Sequence, residues 1–202
     1  MNLRSSSKPT ARKGFTLVEL MIVILVIAIL AAISINGMGY ATKNAARKKT
    51  TAQMAAMELV LTRYHNDYGS YPSGADFTGL ATGGAFDPAF DGSQLLYRVI
   101  SGDYNGDGDV EDAGEEPVFE ATQGSEGKFG LVREEPAGTF GIVDGFQNPL
   151  NYRSAIDANA GGGNNCFNTY TYDLWSYADD DNPPSTAPTP GGTDGPKWIT
   201  NW

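Results

Sequence analysis

A single acid sits at the start of the longest apolar run in the chain. The segment "KGFTLVELMIVILVIAIL", Lys13–Leu30, carries Glu19 as its only carboxylate, and from Leu20 to Ile33 every residue is apolar. With Phe15, Leu17 and Val18 before it and Ile35 after, the stretch approaches the roughly 20 residues a helix needs to span a bilayer. An acid in lipid costs about 2.5–3.5 kcal/mol even on insertion scales, so Glu19 demands a partner. This run dictates a long N-terminal helix whose first half must be covered by lipid or by other protein.

The 14 residues ahead of it hold Arg4, Lys8, Arg12 and Lys13 and no acid, in a Ser-, Thr- and Pro-containing context. They read as a disordered basic leader, and by the positive-inside rule they predict a cytoplasmic N-terminus. An ordinary secretory signal is disfavoured, because no small-x-small cleavage pattern stands out and more helix follows directly. An uncleaved single-pass anchor is the plainer alternative. Setting aside the four leader cations from a net charge of −10 leaves −14 on the remaining 188 residues. Such an acidic body argues against nucleic-acid binding and makes metal cations plausible partners. One cysteine, Cys166, and one histidine, His65, leave little material for a Ser-His-Asp, Cys-His or zinc site. Cys166 reads as a buried thiol and His65 as a surface residue, and an enzyme is not expected.

Beyond Met38, the residues Met54, Met57, Leu61 and Tyr64 recur at i, i+3, i+7 and i+10 and draw one apolar stripe. The helix is expected to continue to about residue 68 as an amphipathic segment, interrupted at Asn36-Gly37 and stopped at Gly69 ahead of Pro72. After Tyr71 the composition shifts to Gly, Pro, Asp and aromatic residues. Gln94–Ile100, Gly127–Glu134, Thr139–Asp144 and Asn168–Tyr177 read as strands. In the last of these, Tyr170, Tyr172, Leu174 and Ser176 alternate with polar positions and Trp175, the pattern of a half-buried antiparallel strand. The expected fold class is α+β: a long N-terminal helix packed on a small antiparallel sheet with long loops. The expected divisions are 1–14, a leader removed on maturation; 15–37, the membrane and assembly helix; and 38–202, a globular domain.

The segment "KGFTLVEL" resembles the type IV prepilin signature: a short basic leader ending in Gly, an aromatic residue, then Glu at the fifth mature position. The resemblance implies that a prepilin peptidase cuts between Gly14 and Phe15 and N-methylates Phe15. It also implies that Glu19 meets the N-terminal amine of a neighbouring subunit. Three further segments resemble the major pseudopilin of bacterial type II secretion systems. "YHNDYGSYP" (Tyr64–Pro72) is similar to its Y-x-x-D-x-G-x-Y-P. "DGFQNPLNYRS" (Asp144–Ser154) is similar to its D-P-W-G-N-P-x-x-Y, with Phe146 for Trp and Gln147 for Gly. "YDLWSYADDD" (Tyr172–Asp181) is similar to its Y-D-L-x-S-x-G-A-D-G, and the sequence closes on "NW". The matches cover the N-terminal helix and roughly the last 60 residues. The stretch from about Thr82 to Gly138 is unmatched, and Asn182–Pro196 reads as a long Pro-, Thr- and Gly-rich loop.

That family carries a calcium-bound loop, and calcium takes six to eight oxygen ligands. The resemblance implies Asp180 as a side-chain ligand and the Tyr177 carbonyl beside it. Lys197 and Trp198 stand where the family usually has acids, so Asp194 is the candidate replacement. A second candidate is read from spacing. In "DYNGDGDVEDAGEE", Asp103, Asn105, Asp107 and Asp109 fall at positions 1, 3, 5 and 7 of an EF-hand-like loop with Gly108 at 6, while position 12 is Gly114. A solvated acidic turn is the plain alternative in both places.

The resemblance implies a structural subunit of a type II secretion pseudopilus. Its partners would be copies of itself in a helical homopolymer, the prepilin peptidase, minor pseudopilins, an inner-membrane assembly platform and the membrane. It would be anchored in the inner membrane with its C-terminal domain periplasmic. The alternative is a type IV pilin of a surface fibre serving adhesion, motility or DNA uptake. Type IVa pilins commonly close their C-terminal region with two cysteines, and the lone Cys166 tilts the reading to the pseudopilin.

Overall fold

A computed structural model describes residues 14–77, 79–81, 83–104, 132–135, 139–160, 165–181, 183–184, 187–190 and 197–202. The chain divides into two compact units, Met1–Thr42 and Lys43–Trp202. Helix α1, Leu17–Tyr68, is 52 residues long and belongs to both. It runs through Asn36-Gly37, where an interruption was expected. One glycine costs about 1 kcal/mol against alanine, which a helix of this length absorbs. At its far end the helix stops as expected: Gly69 takes φ 79° and its N–H returns to the His65 carbonyl at 2.8 Å.

In the first unit the described part of α1 has no cover. Every large apolar side chain from Phe15 to Ile33 is between 48 and 82 % exposed. Among the described residues, no helix is long and apolar enough to cross a membrane. The uninterrupted run Leu20–Ile33 has 14 residues, about 21 Å at 1.5 Å per residue, against a hydrocarbon core of about 30 Å.

In the second unit the stripe of α1 becomes one wall of the core. Met54, Met57 and Leu61 are buried, Tyr64 packs at the edge, and Val60 joins them. The opposite wall comes from helix α2, Phe90–Ser101, through Leu95, Leu96, Val99 and Ile100. This helix replaces the strand expected at Gln94–Ile100. The apolar pairs Leu95-Leu96 and Val99-Ile100 repeat at a spacing of four, which is a helical rather than an alternating pattern. Asp87 starts the helix by accepting the Ala89 and Phe90 N–H groups at 2.8 and 3.3 Å, and Gly102 at φ 79° ends it.

Two small antiparallel sheets complete the domain. Strands β1, Val132–Glu135, and β2, Thr139–Ile142, form a hairpin with Val132 opposite Ile142. Strands β3, Asn151–Ser154, β4, Tyr172–Ser176, and β5, Ile199–Thr200, form the second sheet in that order, with Asn151 opposite Trp175 and Trp175 opposite Thr200. All of Tyr172–Ser176 is buried, whereas Tyr170 is 93 % exposed. The alternation expected for this strand is therefore absent, because β4 is central in its sheet and covered on both faces. A short helix α3, Ala155–Asn159, follows β3 and is capped by the Ser154 side chain. Gly92 sits so close to the Tyr152 backbone that a Cβ there would lie 2.4 Å from its carbonyl oxygen, which lets α2 rest directly on β3.

Only two described non-glycine residues have positive φ, Gln147 at 69° and Ala178 at 52°. Gln147 stands where the resembled pattern has glycine, and Ala178 stands at the first glycine of Y-D-L-x-S-x-G-A-D-G. A non-glycine residue held in the left-handed region costs of order 1 kcal/mol. The Gln147 side chain is exposed, and Gln147→Gly relieves the backbone cost. It is expected to raise stability by about 0.5–1 kcal/mol in chemical denaturation, and Gln147→Val to lower it.

Candidate functional site

The N-terminal site is built from four consecutive features. Gly14 and Phe15 precede α1 and are exposed, Phe15 at 82 %. The Gly14–Phe15 bond thus lies outside the helical hydrogen-bond ladder. Thr16 is the N-cap, its carbonyl accepting from Leu20 N at 3.2 Å. Glu19 then falls at the third helical position. Its Oε2 accepts from both the Thr16 N–H and the Thr16 hydroxyl at 2.8 Å, while the Glu19 N–H donates to the Thr16 Oγ1 at 3.2 Å. This is a capping box, in which two orphan donors at the helix start are satisfied reciprocally. The acid that the sequence leaves unexplained thus has a partner within its own chain. Thr16 was missed in the sequence, although T-x-x-E before an apolar run is the signal for it.

The three segments of resemblance in the globular domain are hydrogen-bonded to one another. The Tyr152 hydroxyl donates to the Pro72 carbonyl at 2.7 Å. The fully buried Asp144 carboxylate accepts from the N–H groups of Phe146 and Asn148 at 2.8 and 2.9 Å, and its other oxygen accepts from the Ser176 hydroxyl. The Asn148 amide donates to the Ala178 carbonyl at 3.1 Å. Helix α1 joins this turn through Thr50, whose Oγ1 accepts from Gly145 N at 2.9 Å, and Gln53, which donates to the Val143 carbonyl.

A second polar knot holds the loop before β4. Arg153 and Asp173 form a buried ion pair at 3.1 Å, with side chains 8 and 0 % exposed. Arg153 also donates to the carbonyls of Asn165 and Pro188 and lies over the Trp175 ring. Asp173 takes the Phe167 and Asn168 N–H groups. Cys166 is buried beside them, as its sequence reading anticipated. Burial and the Asp173 charge push its thiol up to about 12, so it stays protonated and unreactive near neutral pH.

The expected calcium residues fare differently. Asp194, Asn105, Asp107 and Asp109 lie outside the described residues. Asp103 is fully buried, with its N–H on the Ser101 hydroxyl at 3.2 Å. At the C-terminal loop, Asp180 Oδ2 accepts from the Trp198 indole N–H at 2.9 Å, and the Tyr177 carbonyl accepts from Asp180 N at 3.0 Å. Asp179 carries the ionic contacts, with Lys43 at 3.4 Å and Arg47 at 3.0 Å. Among the described residues, no group of three or more His, Cys, Asp or Glu side chains is gathered as a metal site would require. The Asp180 carboxylate and the Tyr177 carbonyl implied by the resemblance already accept, among the described residues, from N–H groups of the chain itself.

Comparison with known proteins comes down to the N-terminal helix and a partial chain match. Residues 9–35 match the family model described as the prokaryotic N-terminal methylation motif. A fimbrial protein of Neisseria meningitidis serogroup B is 34 % identical over 73 residues, which is 36 % of this chain and 43 % of that protein. A type IV major pilin protein of Neisseria gonorrhoeae is 33 % identical over 73 residues, 36 % of this chain and 44 % of its own. The match spans less than half the length of these curated relatives. No solved structure matches the chain. By its N-terminal motif and its α+β layout, the chain resembles type IV pilins.

The capping box makes a local prediction. Thr16→Ala should loosen the first turn by about 1 kcal/mol, the usual worth of a cap. Amide exchange of residues 17–20 in detergent micelles should quicken, with exchange at Met54–Leu61 unchanged.

Proposed function

We propose that this type IV pilin-like chain is the structural subunit of a type II secretion pseudopilus, assembling through its N-terminal helix. One observation carries the assembly reading: the apolar side chains of Phe15–Ile33 stand uncovered, directly after the Gly14–Phe15 bond at which the resemblance places cleavage. A contiguous apolar surface of this size requires an occupant. Lipid covers it before assembly, and the same segment of other copies covers it afterwards. Cleavage would give Phe15 a cationic amine, and Glu19 sits about 6 Å along the axis from it. The Glu19 carboxylate, held by Thr16 within its own chain, then meets the amine of a neighbouring copy.

The pseudopilin reading is supported by the globular domain. Asp144, Asn148, Tyr152 and Ser176, all within the resembled segments, tie those segments together, so the resemblance extends to residues with structural tasks. The second reading is a surface fibre. It is favoured by the names of the matched relatives, a fimbrial protein and a type IV major pilin. In either case the partners are further copies, a prepilin peptidase and an inner-membrane assembly platform, with minor pseudopilins added in the first. Calcium enters this reading as a proposal for the Asp103, Asn105, Asp107 and Asp109 segment.

Intact mass of the membrane-extracted protein tests the processing step. The expected product begins at N-methylated Phe15, and Gly14→Val retains the leader. An uncut chain in cells that hold a prepilin peptidase contradicts the proposal. Glu19→Val should insert into membranes at least as well as the parent, since a polar group leaves the apolar segment, yet form few filaments. Deleting the gene separates the two readings: loss of exported proteins from the medium supports the pseudopilus, and loss of surface fibres with export intact supports the pilus.

A further inference from the structure

The loop Asp179–Asp181 holds three consecutive carboxylates, and three cations of the same chain surround it. Lys43 and Arg47, one turn apart on α1, take the two oxygens of Asp179 at 3.4 and 3.0 Å. Lys197 donates to the Asp179 backbone carbonyl at 3.2 Å and stands 4.0 Å from the Asp181 carboxylate. Trp198 adds a neutral donor, its indole N–H reaching Asp180 Oδ2 at 2.9 Å while its ring packs edge-on against Tyr177 at 5.0 Å. Desolvation pushes the Asp179 carboxyl up, but the Lys43 hydrogen bond, its own backbone N–H and the Lys43 and Lys197 charges outweigh it and hold the group below the usual carboxylate value.

These contacts use the very oxygens a divalent cation would need. Calcium requires six to eight oxygens converging at 2.3–2.6 Å. Here both Asp179 oxygens point to α1, the Tyr177 carbonyl takes the Asp180 N–H, and Asp180 faces Trp198. Among the described residues the charges at this loop also balance, three carboxylates against three cations, which weakens the negative field that draws a divalent ion. Lys197 and Trp198 are the two residues that depart from the acids of the resembled family, and Asp179 stands where its pattern has alanine.

We infer that Lys43, Arg47, Lys197 and Trp198 close the Asp179–Asp181 loop in place of a bound divalent cation, forming an ionic latch that ties α1 to the segment leading into β5. The latch fastens the edge strand β5, whose two residues give it few ladder hydrogen bonds of its own. A loop closed this way holds without calcium and responds instead to ionic strength.

The test uses the full chain in detergent micelles carrying Asp107→Ala, so that the separate "DYNGDGD" segment does not contribute. Melting temperature is measured in millimolar CaCl2 and in EGTA. The latch predicts the same value in both, and a calcium-dependent rise overturns the inference, since binding to the folded form alone must raise stability. In the same background, Asp179→Asn should lower the melting temperature by about 2–4 °C, equally in both buffers. Lys197→Arg should preserve it, and 1 M NaCl should narrow the gap between parent and Asp179→Asn. An Asp179→Asn protein that melts with its parent at low salt overturns the latch.

Discussion

The side chains of Phe15–Ile33 have no apolar cover within the described part of their own unit, and everything else about the chain is arranged around that fact. An apolar helix face of this extent is not stable against water. On the proposed reading, lipid covers it first and copies of the chain afterwards. The acid at its start does not contradict this. Glu19 costs energy in an apolar setting, and the Thr16 capping box lowers that cost by giving the carboxylate two donors at the helix terminus. A group so partnered tolerates an apolar environment while staying available at the end of the helix where a neighbour's amine would arrive.

The second half of α1 works differently. Its Met54–Leu61 stripe meets α2 and the strands, and the domain is held less by extended sheet than by buried polar knots. Strands of two to five residues supply few ladder bonds. Asp144 compensates by joining the turn before β3 to Ser176 at the end of β4, and Arg153–Asp173 binds β3 to the loop ahead of β4. A buried ion pair is costly to make and costlier to break: removing one partner typically loses 3–5 kcal/mol. The knots fix loop positions that apolar packing alone would leave undetermined.

Much of this was legible in the sequence where one period dominates. The apolar run, the Met54–Leu61 stripe and the Gly69 stop follow from helical spacing and glycine chemistry. The α2 segment was misread because its apolar residues come in adjacent pairs within a short window, and the Asp87 cap lies outside that window. For β4, the identity of the segment was visible, but its central place in the sheet depends on a two-residue strand nearly 25 positions later. The cations Lys43 and Arg47 lie on α1 outside the Met54–Leu61 stripe. Their contact with Asp179 spans more than 130 residues, and no local pattern announces it.

The central claim is that copies of this chain associate along the first half of α1. Single cysteines placed successively from Leu20 to Ile33 and oxidised in intact membranes test it directly, because the native Cys166 is buried with its thiol pushed up to about 12 and stays silent. The account predicts disulfide-linked dimers at positions recurring with helical periodicity, in cells that also process the leader. Processed protein that stays monomeric at every position would contradict it.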